Sequence, residues 1–111
     1  MTLILHLMSH KEWEHAKSLG IYRAHSSHGS GHIDCWYPSQ LERVANEVFE
    51  GQKELVLLYI ESNRVHAKVR EEGKGADSRP RIFGPLNLDS VSKVVELKPD
   101  KLGRFALPNP L

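Results

Sequence analysis

Two apolar runs constrain the fold of this chain more than any other feature. Leu55 to Ile60 is a continuous run of β-prone residues, and Leu3 to Met8 is nearly as apolar, interrupted by His6. Runs that are apolar at both alternating positions are typical of strands buried on both faces. We therefore expect residues 55–60 to form a central strand, and His6 to lie on the strand face opposite the leucines of its own run.

Two helices are expected from capping signals and apolar spacing. Ser9-His10-Lys11-Glu12 has the spacing of a capping box, and the helix that it opens ends at Gly20, which readily adopts a left-handed conformation. Ser39 to Glu42 has the same spacing and opens a second helix that ends at Gly51. Its apolar residues follow helical spacing and form one stripe toward a core: Leu41, Val44, Ala45, Val48 and Phe49.

The other segments are expected to be short strands and loops. Ile21-Tyr22 and Ile82-Phe83 are short and extended, and Val91 to Leu97 closes the sheet. Apolar and polar residues alternate from Val65 to Arg70, which indicates a half-exposed strand or a short amphipathic segment. Residues 23–31 form a polar, Gly/Ser-rich loop, and Glu71 to Pro80 form a charged, mobile loop.

Length and charge bound the class of protein. The 111 residues suit one domain, expected over 1–97, with an irregular tail over 98–111 that packs through Phe105 and Leu107. Fifteen Lys and Arg against fourteen Asp and Glu leave a net charge of +1, which gives no overall field for DNA or an anionic membrane. A nucleic-acid role would therefore need a local basic patch.

The expected compartment is the cytoplasm. The apolar opening run is too short to span a bilayer, so no membrane partner is expected. Cys35 is the single cysteine, so no intrachain disulfide forms, which favours a reducing compartment.

The densest cluster of metal-ligand side chains comprises His25, His28, His32, Asp34 and Cys35. These are residue types that zinc prefers. However, two of the histidines lie in the Gly/Ser-rich loop, and no Cys-x2-Cys frame is present, so we expect no metal here. Cys35 is expected to be a core residue, because burial and the neighbouring carboxylate disfavour its thiolate.

Basic and aromatic residues suggest a ligand site. The basic concentration of the chain lies between residues 68 and 81: Lys68, Arg70, Lys74, Arg79 and Arg81. Acidic neighbours dilute it, so it is either a solvated face or a small anion site that binds phosphate or carboxylate. Trp36 and Tyr37, close to the polar loop, are expected at the rim of a pocket, where they stack on a flat ligand.

Short motifs in a fixed order identify a family resemblance. They are His6 in the first strand, Glu12-Trp13-x2-Ala16, Gly20-x-Tyr22, Gly31-x-Ile33-x-Cys35, Phe49-x-Gly51 and Pro80-x-Ile82-Phe83-Gly84-Pro85-Leu86. In this order they resemble the domain of unknown function 952 family, over residues 3 to 97. The resemblance implies an α+β, ADP-ribosyltransferase-like fold: a split, bent, antiparallel-rich sheet with two main helices and an NAD-type cleft. The family has no established activity.

The resemblance also assigns positions in that cleft. His6 matches a first-strand residue that lines the cleft, and Glu71 matches the Glu of a Trp-Glu pair whose Trp is here Arg70. Two positions that are histidine in the family are Asp34 and Arg81 in this chain, so we expect these side chains to face each other as an ion pair. In a partly buried cleft, removal of one partner would cost about 3–5 kcal/mol of stability.

The resulting functional hypothesis is a single polar cleft that binds NAD or a phosphorylated nucleoside. The predicted catalytic residues are His6 and Glu71, and the predicted ligand-binding residues are His32, Asp34, Trp36, Tyr37, Arg70 and Arg81. His6 would bond a ribose hydroxyl, an arginine would bind phosphate, and Glu71 would stabilise a developing positive charge. Because neither of the two family histidines is present, catalysis stays open. The alternatives are a non-catalytic binding or interaction module and a zinc protein that uses residues 25–35.

Overall fold

The computed structural model describes residues 3–23, 32–47, 49, 51 and 53–107. The described part is an α+β fold with two helices and antiparallel sheets, as the resemblance implies. The helices are α1 (His10–Leu19) and α2 (Pro38–Glu47). The strands are β1 (Leu3–Ser9), β2 (Ile21–Tyr22), β3 (Ile33–Asp34), β4 (Leu55–Glu61), β5 (Lys68–Glu72), β6 (Arg79–Phe83), β7 (Leu86–Asn87) and β8 (Val91–Leu97).

The first sheet has the order β1-β4-β8, with both neighbours antiparallel to β4. The central position predicted for residues 55–60 is therefore confirmed. All six of these residues are buried, because the sheet is covered on both faces. His6 pairs with Leu58 and lies on the face opposite Leu5 and Leu7, which confirms its predicted orientation.

A second sheet has the order β3-β6-β5, and a small ribbon pairs β2 with β7. In the second sheet, Asp34 is directly opposite Arg81, and Arg81 is directly opposite Arg70 on the other side. Ile33 and Ile82 pair in the neighbouring row and are buried. The second sheet therefore has one apolar face toward the core and one charged face, which is the usual pattern of an antiparallel sheet covered on one side.

The core consists of two clusters, one on each face of the first sheet. The cluster on the His6 face packs α1 and the apolar face of the second sheet on β1 and β4 through Ile4, Met8, Trp13, Ala16, Ile33, Cys35, Val56, Leu58, Ile60, Ile82 and Leu86. The other cluster packs α2 and the C-terminal segment through Leu5, Leu7, Trp36, Leu41, Val44, Ala45, Leu55, Leu57, Tyr59, Leu97 and Phe105.

The start of α1 agrees with the prediction from the sequence, whereas the start of α2 does not. In α1 the capping box of Ser9 and Glu12 is present, and Gly20 ends the helix with φ 77°, as predicted. The predicted start of α2 at Ser39 is wrong. The helix begins at Pro38, whose fixed φ suits the first helical position, and the Tyr37 backbone N–H donates to Oε1 of Gln40 at 3.0 Å.

The end of α2 is also shorter than predicted. The helix ends at Glu47 instead of continuing to Gly51. Val48 lies outside the described residues, and Phe49 packs against the second core cluster.

The loop predicted for residues 71–80 is wrong at both ends, where residues 71–72 belong to β5 and residues 79–80 to β6, and its mobility stays a prediction. The segment belongs to the β5–β6 hairpin, whose turn contains a short 3-10 helix at Gly75–Asp77. Gln40 of α2 holds this turn, because its Nε2 donates to the backbone oxygens of Ala76 at 3.0 Å and Ser78 at 2.7 Å. The sequence predicts extended structure for residues 65–70 and 82–83 but not for residues 71–72 and 79–80, where charged side chains hide the apolar alternation.

The C-terminal segment packs on α2 as predicted for Phe105 and Leu107. The Asn46 side chain accepts from the Phe105 N–H at 2.7 Å and donates to its backbone oxygen at 3.1 Å. The division into a domain over 1–97 and a tail stays a prediction. Neither described helix has the length and apolar character needed to cross a membrane, and residence in the cytoplasm stays a prediction from the sequence.

Gly73 and Gly75 offer a matched test of the β5–β6 turn. Both have positive φ, 107° and 58°, but a Cβ on Gly73 would lie 2.8 Å from the Asp77 backbone oxygen, whereas nothing lies within 4 Å of one on Gly75. We expect Gly75→Ala to cost about 1 kcal/mol from backbone strain, and Gly73→Ala about 1–3 kcal/mol more from the clash. Urea unfolding measures both, and equal losses of stability would contradict the described turn.

Candidate functional site

The edge of β1 meets the end of β3, and this contact positions the candidate site. Leu5 and Trp36 exchange two backbone hydrogen bonds, of 2.9 Å and 2.7 Å. The Cys35 N–H donates to the Pro80 oxygen at 3.0 Å, which ties the same segment to β6. The first strand, residues 32–37 and the stretch before Gly84 therefore converge, as predicted.

His6 is buried in this contact and is neutral. Its Nδ1 lies 2.5 Å from the backbone oxygen of Asp34. Because a carbonyl oxygen only accepts, Nδ1 carries the proton and Nε2 is left as an acceptor. Burial is the main cause that lowers the pKa of His6 below its ordinary value, although the bond to Asp34 opposes it. Nε2 is buried and has no hydrogen-bond partner among the described residues.

The Asp34 carboxylate gathers several cationic side chains. Its Oδ1 lies 3.0 Å from Nε of Arg81, 3.7 Å from Nε of Arg79 and 3.3 Å from Nε2 of His32. Arg81 also donates from Nη1 to Glu72 at 3.2 Å. The ion pair predicted between Asp34 and Arg81 is therefore confirmed, but it belongs to a larger network.

Arg79 connects this network to the buried His6. Its guanidinium lies 6.0 Å from the centre of the Trp36 ring, and Trp36 stacks on His6 at 6.3 Å with an interplanar angle of 9°. Nε of Arg79 is buried and has no hydrogen-bond partner in the described part of the chain, since 3.7 Å to Asp34 is too long. We call the contact formed by His6, Asp34, Trp36 and Arg79 the seam.

Trp36 is placed differently from the prediction. Its side chain is a core residue with a residual exposure of 6%, not a ring at a pocket rim, because its backbone pairs with β1 and its ring packs on Phe49. Tyr37 is half-buried, and its hydroxyl donates to Oε1 of the exposed Glu71 at 2.6 Å. This bond raises the pKa of Tyr37. It also gives Glu71 a hydrogen-bond partner on the face of β5 opposite Arg70.

The eight predicted site residues do not all share one surface. Four of them lie on the charged face of the second sheet, which we call the outer face. It carries His32, Asp34, Lys68, Arg70, Glu72, Arg79, Arg81 and Phe83. The other four, His6, Trp36, Tyr37 and Glu71, lie on or beside the core-facing side. The structure brings the segments together, but a single polar cleft that all eight residues line stays a prediction.

Arg79 and Glu72 are the site residues that the sequence hypothesis left out. The sequence feature that indicates Arg79 is its spacing of two residues from Arg81. With the buried Pro80 between them, this spacing places both guanidinium groups on one face of the strand. Glu72 lies opposite Arg79 in register and could have been found only once the hairpin was recognised.

The zinc alternative has no support from the described residues. In residues 3–23, 32–47, 49, 51 and 53–107, no group of three His, Cys, Asp or Glu side chains could hold a metal ion. His25, His28 and Gly31 lie outside these residues. Cys35 is buried on the core side, and burial raises the pKa of its thiol, as expected for a core cysteine.

Two open grooves of about 400 and 470 Å³ lie elsewhere, between α2 and the turn at residues 102–104. Asn46 and Arg104 line both of them. The Phe105 backbone already engages Asn46, and no residue of the seam lines either groove.

The Asp34 network predicts an asymmetric response to mutation. Asp34→Asn leaves Arg79 and Arg81 close together without the shared carboxylate, whereas Arg81→Gln leaves Asp34 with Arg79 and His32. Because the Asp34 and Arg81 side chains are 37% and 27% exposed, the cost falls below that of a fully buried pair. We expect stability to fall by about 1–2 kcal/mol for Asp34→Asn and about 0.5–1 kcal/mol for Arg81→Gln.

Urea unfolding at low and high salt measures both effects, and added salt should reduce them. Arg64→Gln is the control, because it breaks an exposed pair to Glu61 of the same 3.0 Å length. Equal costs for Asp34→Asn and Arg64→Gln would contradict the shared network.

His6 predicts a decrease of stability in mild acid. In the unfolded chain it titrates near pH 6.5, whereas in the folded chain its pKa is lower. Between these two values the unfolded chain binds more protons than the folded chain. The contribution of His6 to the free energy of unfolding is therefore fully present above about pH 6.5 and is lost as the pH drops toward the folded-state pKa. Thermal unfolding between about pH 7.5 and 5 should show this decrease, and His6→Asn, which can still donate to Asp34, should reduce it. An exposed histidine on α1 gives the control His15→Gln, and an equal effect of both variants would refute the assignment to His6.

Known proteins match this chain in family and in fold. The family described as Protein of unknown function (DUF952) matches residues 7–94. The crystal structure of protein CC0527 from Caulobacter crescentus is 28% identical, with a TM-score of 0.86 over 98% of this chain and 97% of that chain. Its solution NMR structure is 29% identical, with a TM-score of 0.81 over 100% and 97%. No curated protein matches. The chain therefore belongs to the DUF952 family of proteins of unknown function.

Proposed function

We propose that this protein binds a small phosphorylated nucleoside at the seam, with NAD as one candidate. The observation that carries the proposal is that two of the three buried side-chain polar atoms without partners among the described residues lie at the seam: Nε2 of His6 and Nε of Arg79. The third, the Tyr59 hydroxyl, belongs to the second core cluster. Both side chains contact the same two residues, Asp34 and Trp36. A buried polar atom without a partner costs about 1–3 kcal/mol, and a ligand that forms hydrogen bonds to both atoms would remove this cost.

The two atoms differ in hydrogen-bonding character, which limits the chemistry of the ligand. His6 Nε2 is an acceptor, so it suits a hydroxyl group such as that of a ribose. Arg79 Nε–H is a donor on a permanent cation, so it suits an oxygen of a phosphate. A phosphorylated nucleoside supplies both groups on one molecule.

The charges around Asp34 also favour an anion. One carboxylate serves Arg79, Arg81 and, when protonated, His32. Glu72 compensates Arg81 further, but no carboxylate other than Asp34 contacts Arg79 in the described residues. A phosphate at Arg79 would complete the local charge balance.

The ADP-ribosyltransferase-like architecture is part of this proposal. Two antiparallel sheets joined along one edge support it, and NAD is named because of that resemblance. For catalysis, Nε2 of His6 would act as the general base, and the Glu71 carboxylate would stabilise the positive charge that develops in the transition state. The Tyr37 hydroxyl already engages Glu71, which favours the alternative of a binding module that has kept the fold without the chemistry.

Calorimetric titration and thermal unfolding with NAD, ADP-ribose and AMP test the proposal, with adenosine and nicotinamide as unphosphorylated controls. Phosphorylated ligands should bind saturably, and a concentration one hundred times the Kd should add about 2.7 kcal/mol to the free energy of unfolding. Arg79→Gln and His6→Asn should each weaken binding about tenfold or more, since each removes a hydrogen bond with a charged or buried partner.

Arg64→Gln is the matched control, because Arg64 is an exposed arginine beyond the end of β4. It should leave the affinity unchanged. Absence of saturable binding by every phosphorylated ligand, or binding that Arg79→Gln does not weaken, would overturn the proposal.

A further inference from the structure

We infer that the phosphorylated nucleoside of the seam is one residue of a single-stranded nucleic acid, whose backbone continues across the outer face toward β5. The inference rests on the proposed function for the residue bound at the seam and adds the class of the whole ligand. It is carried by the charges and the aromatic ring of the outer face, which a lone nucleoside at the seam would leave unused.

Positive charge is concentrated on the outer face. The described part of the outer face carries two carboxylates, those of Asp34 and Glu72. It carries four cationic side chains: Lys68, Arg70, Arg79 and Arg81. Two net positive charges therefore lie on this one face, although the whole chain carries a net charge of +1. This is the local basic patch that a nucleic-acid role requires of a nearly neutral chain.

The cations nearest the sheet edge are not neutralised. Arg70 lies directly opposite Arg81, a like-charge pair that destabilises a sheet unless an anion lies between the two groups. Arg81 is held by Asp34 and Glu72, whereas neither Arg70 nor Lys68 has an acidic partner among the described residues. Both side chains are exposed on β5, an edge strand. A phosphate bound by Arg70 and Lys68 would remove this repulsion.

Phe83 provides a surface on which a base can stack. Its ring is half-buried, with the tilted His32 ring at 5.7 Å and the Arg70 guanidinium over it at 6.0 Å. In register, Lys68 is directly opposite Phe83, so a cation accompanies the ring. A ring flanked by cations on an open sheet is the combination with which proteins bind single strands, since every base has a face that can stack.

The same features favour a single strand over the other polyanions. A base in a duplex is stacked and paired, so it cannot cover Phe83, and an acidic peptide would use the cations but not the ring. The cations lie on the adjacent strands β6 and β5 and extend about 13 Å along them, from Arg79 to Lys68, which is opposite Phe83. A chain of phosphates fits this spread better than one compact phosphate group.

Fluorescence anisotropy with labelled RNA and DNA single strands of about 12 nucleotides tests the inference, at about 50 mM salt. Single strands should bind more tightly than AMP. The double variant Lys68→Gln with Arg70→Gln should weaken their binding about tenfold or more and lower the salt slope by about 0.7 for each phosphate that these cations no longer neutralise. Phe83→Leu should weaken binding about fivefold or more and change the salt slope less than the double variant does, because it removes the stacking surface and keeps all four cations.

Lys93→Gln is the matched control, since Lys93 is an exposed cation on β8 that lies 5.3 Å from the centre of the Tyr59 ring, as Arg70 does over Phe83. It should leave binding unchanged. Equal affinity for the duplex or for polyglutamate would overturn the inference, the latter in favour of an acidic protein partner. If AMP or NAD binds in an Arg79-dependent manner but Lys68 and Arg70 do not strengthen the binding of single strands, the inference fails and the proposed function stands. If neither kind of ligand binds, both fail.

Discussion

The two backbone hydrogen bonds between Leu5 and Trp36 determine how the rest of the molecule is arranged. They attach the end of β3 to the open edge of β1, so the second sheet lies against the first instead of extending it. As a result, the apolar face of the second sheet covers the His6 side of the first sheet, and its charged face is left to solvent. The position of His6 beside the Asp34 backbone follows directly from this attachment.

Asp34 shows how one residue of a short strand can serve two surfaces. Its backbone oxygen faces inward and fixes the proton of His6, while its carboxylate faces outward and holds the arginines of β6. Since β3 has only two residues, these ionic and hydrogen-bonding interactions add to the few backbone bonds that hold it in place. The buried imidazole and the charged outer face are therefore coupled through a single residue.

The sequence predicts the apolar framework well and the charged parts poorly. The strands 3–9 and 55–61, the Ser9 capping box and the core position of Cys35 all follow from local pattern and burial. The β5–β6 hairpin follows only in part, because residues 71–72 and 79–80 occupy strand positions in a stretch for which the sequence predicts a loop. The Asp34–Arg81 pair could be predicted because the family resemblance supplies a long-range contact. The burial of Trp36 depends on pairing with β1, which no local signal contains.

Two amide side chains hold α2 to neighbouring irregular segments, one near each end of the helix. Gln40 binds the turn of the β5–β6 hairpin, and Asn46 binds the backbone at Phe105. These bonds replace helix caps and sheet pairing for two stretches that have little regular structure of their own. A local opening of α2 would release both stretches at once, so the hairpin turn and the C-terminal segment should exchange their amide hydrogens as one cooperative unit with the helix.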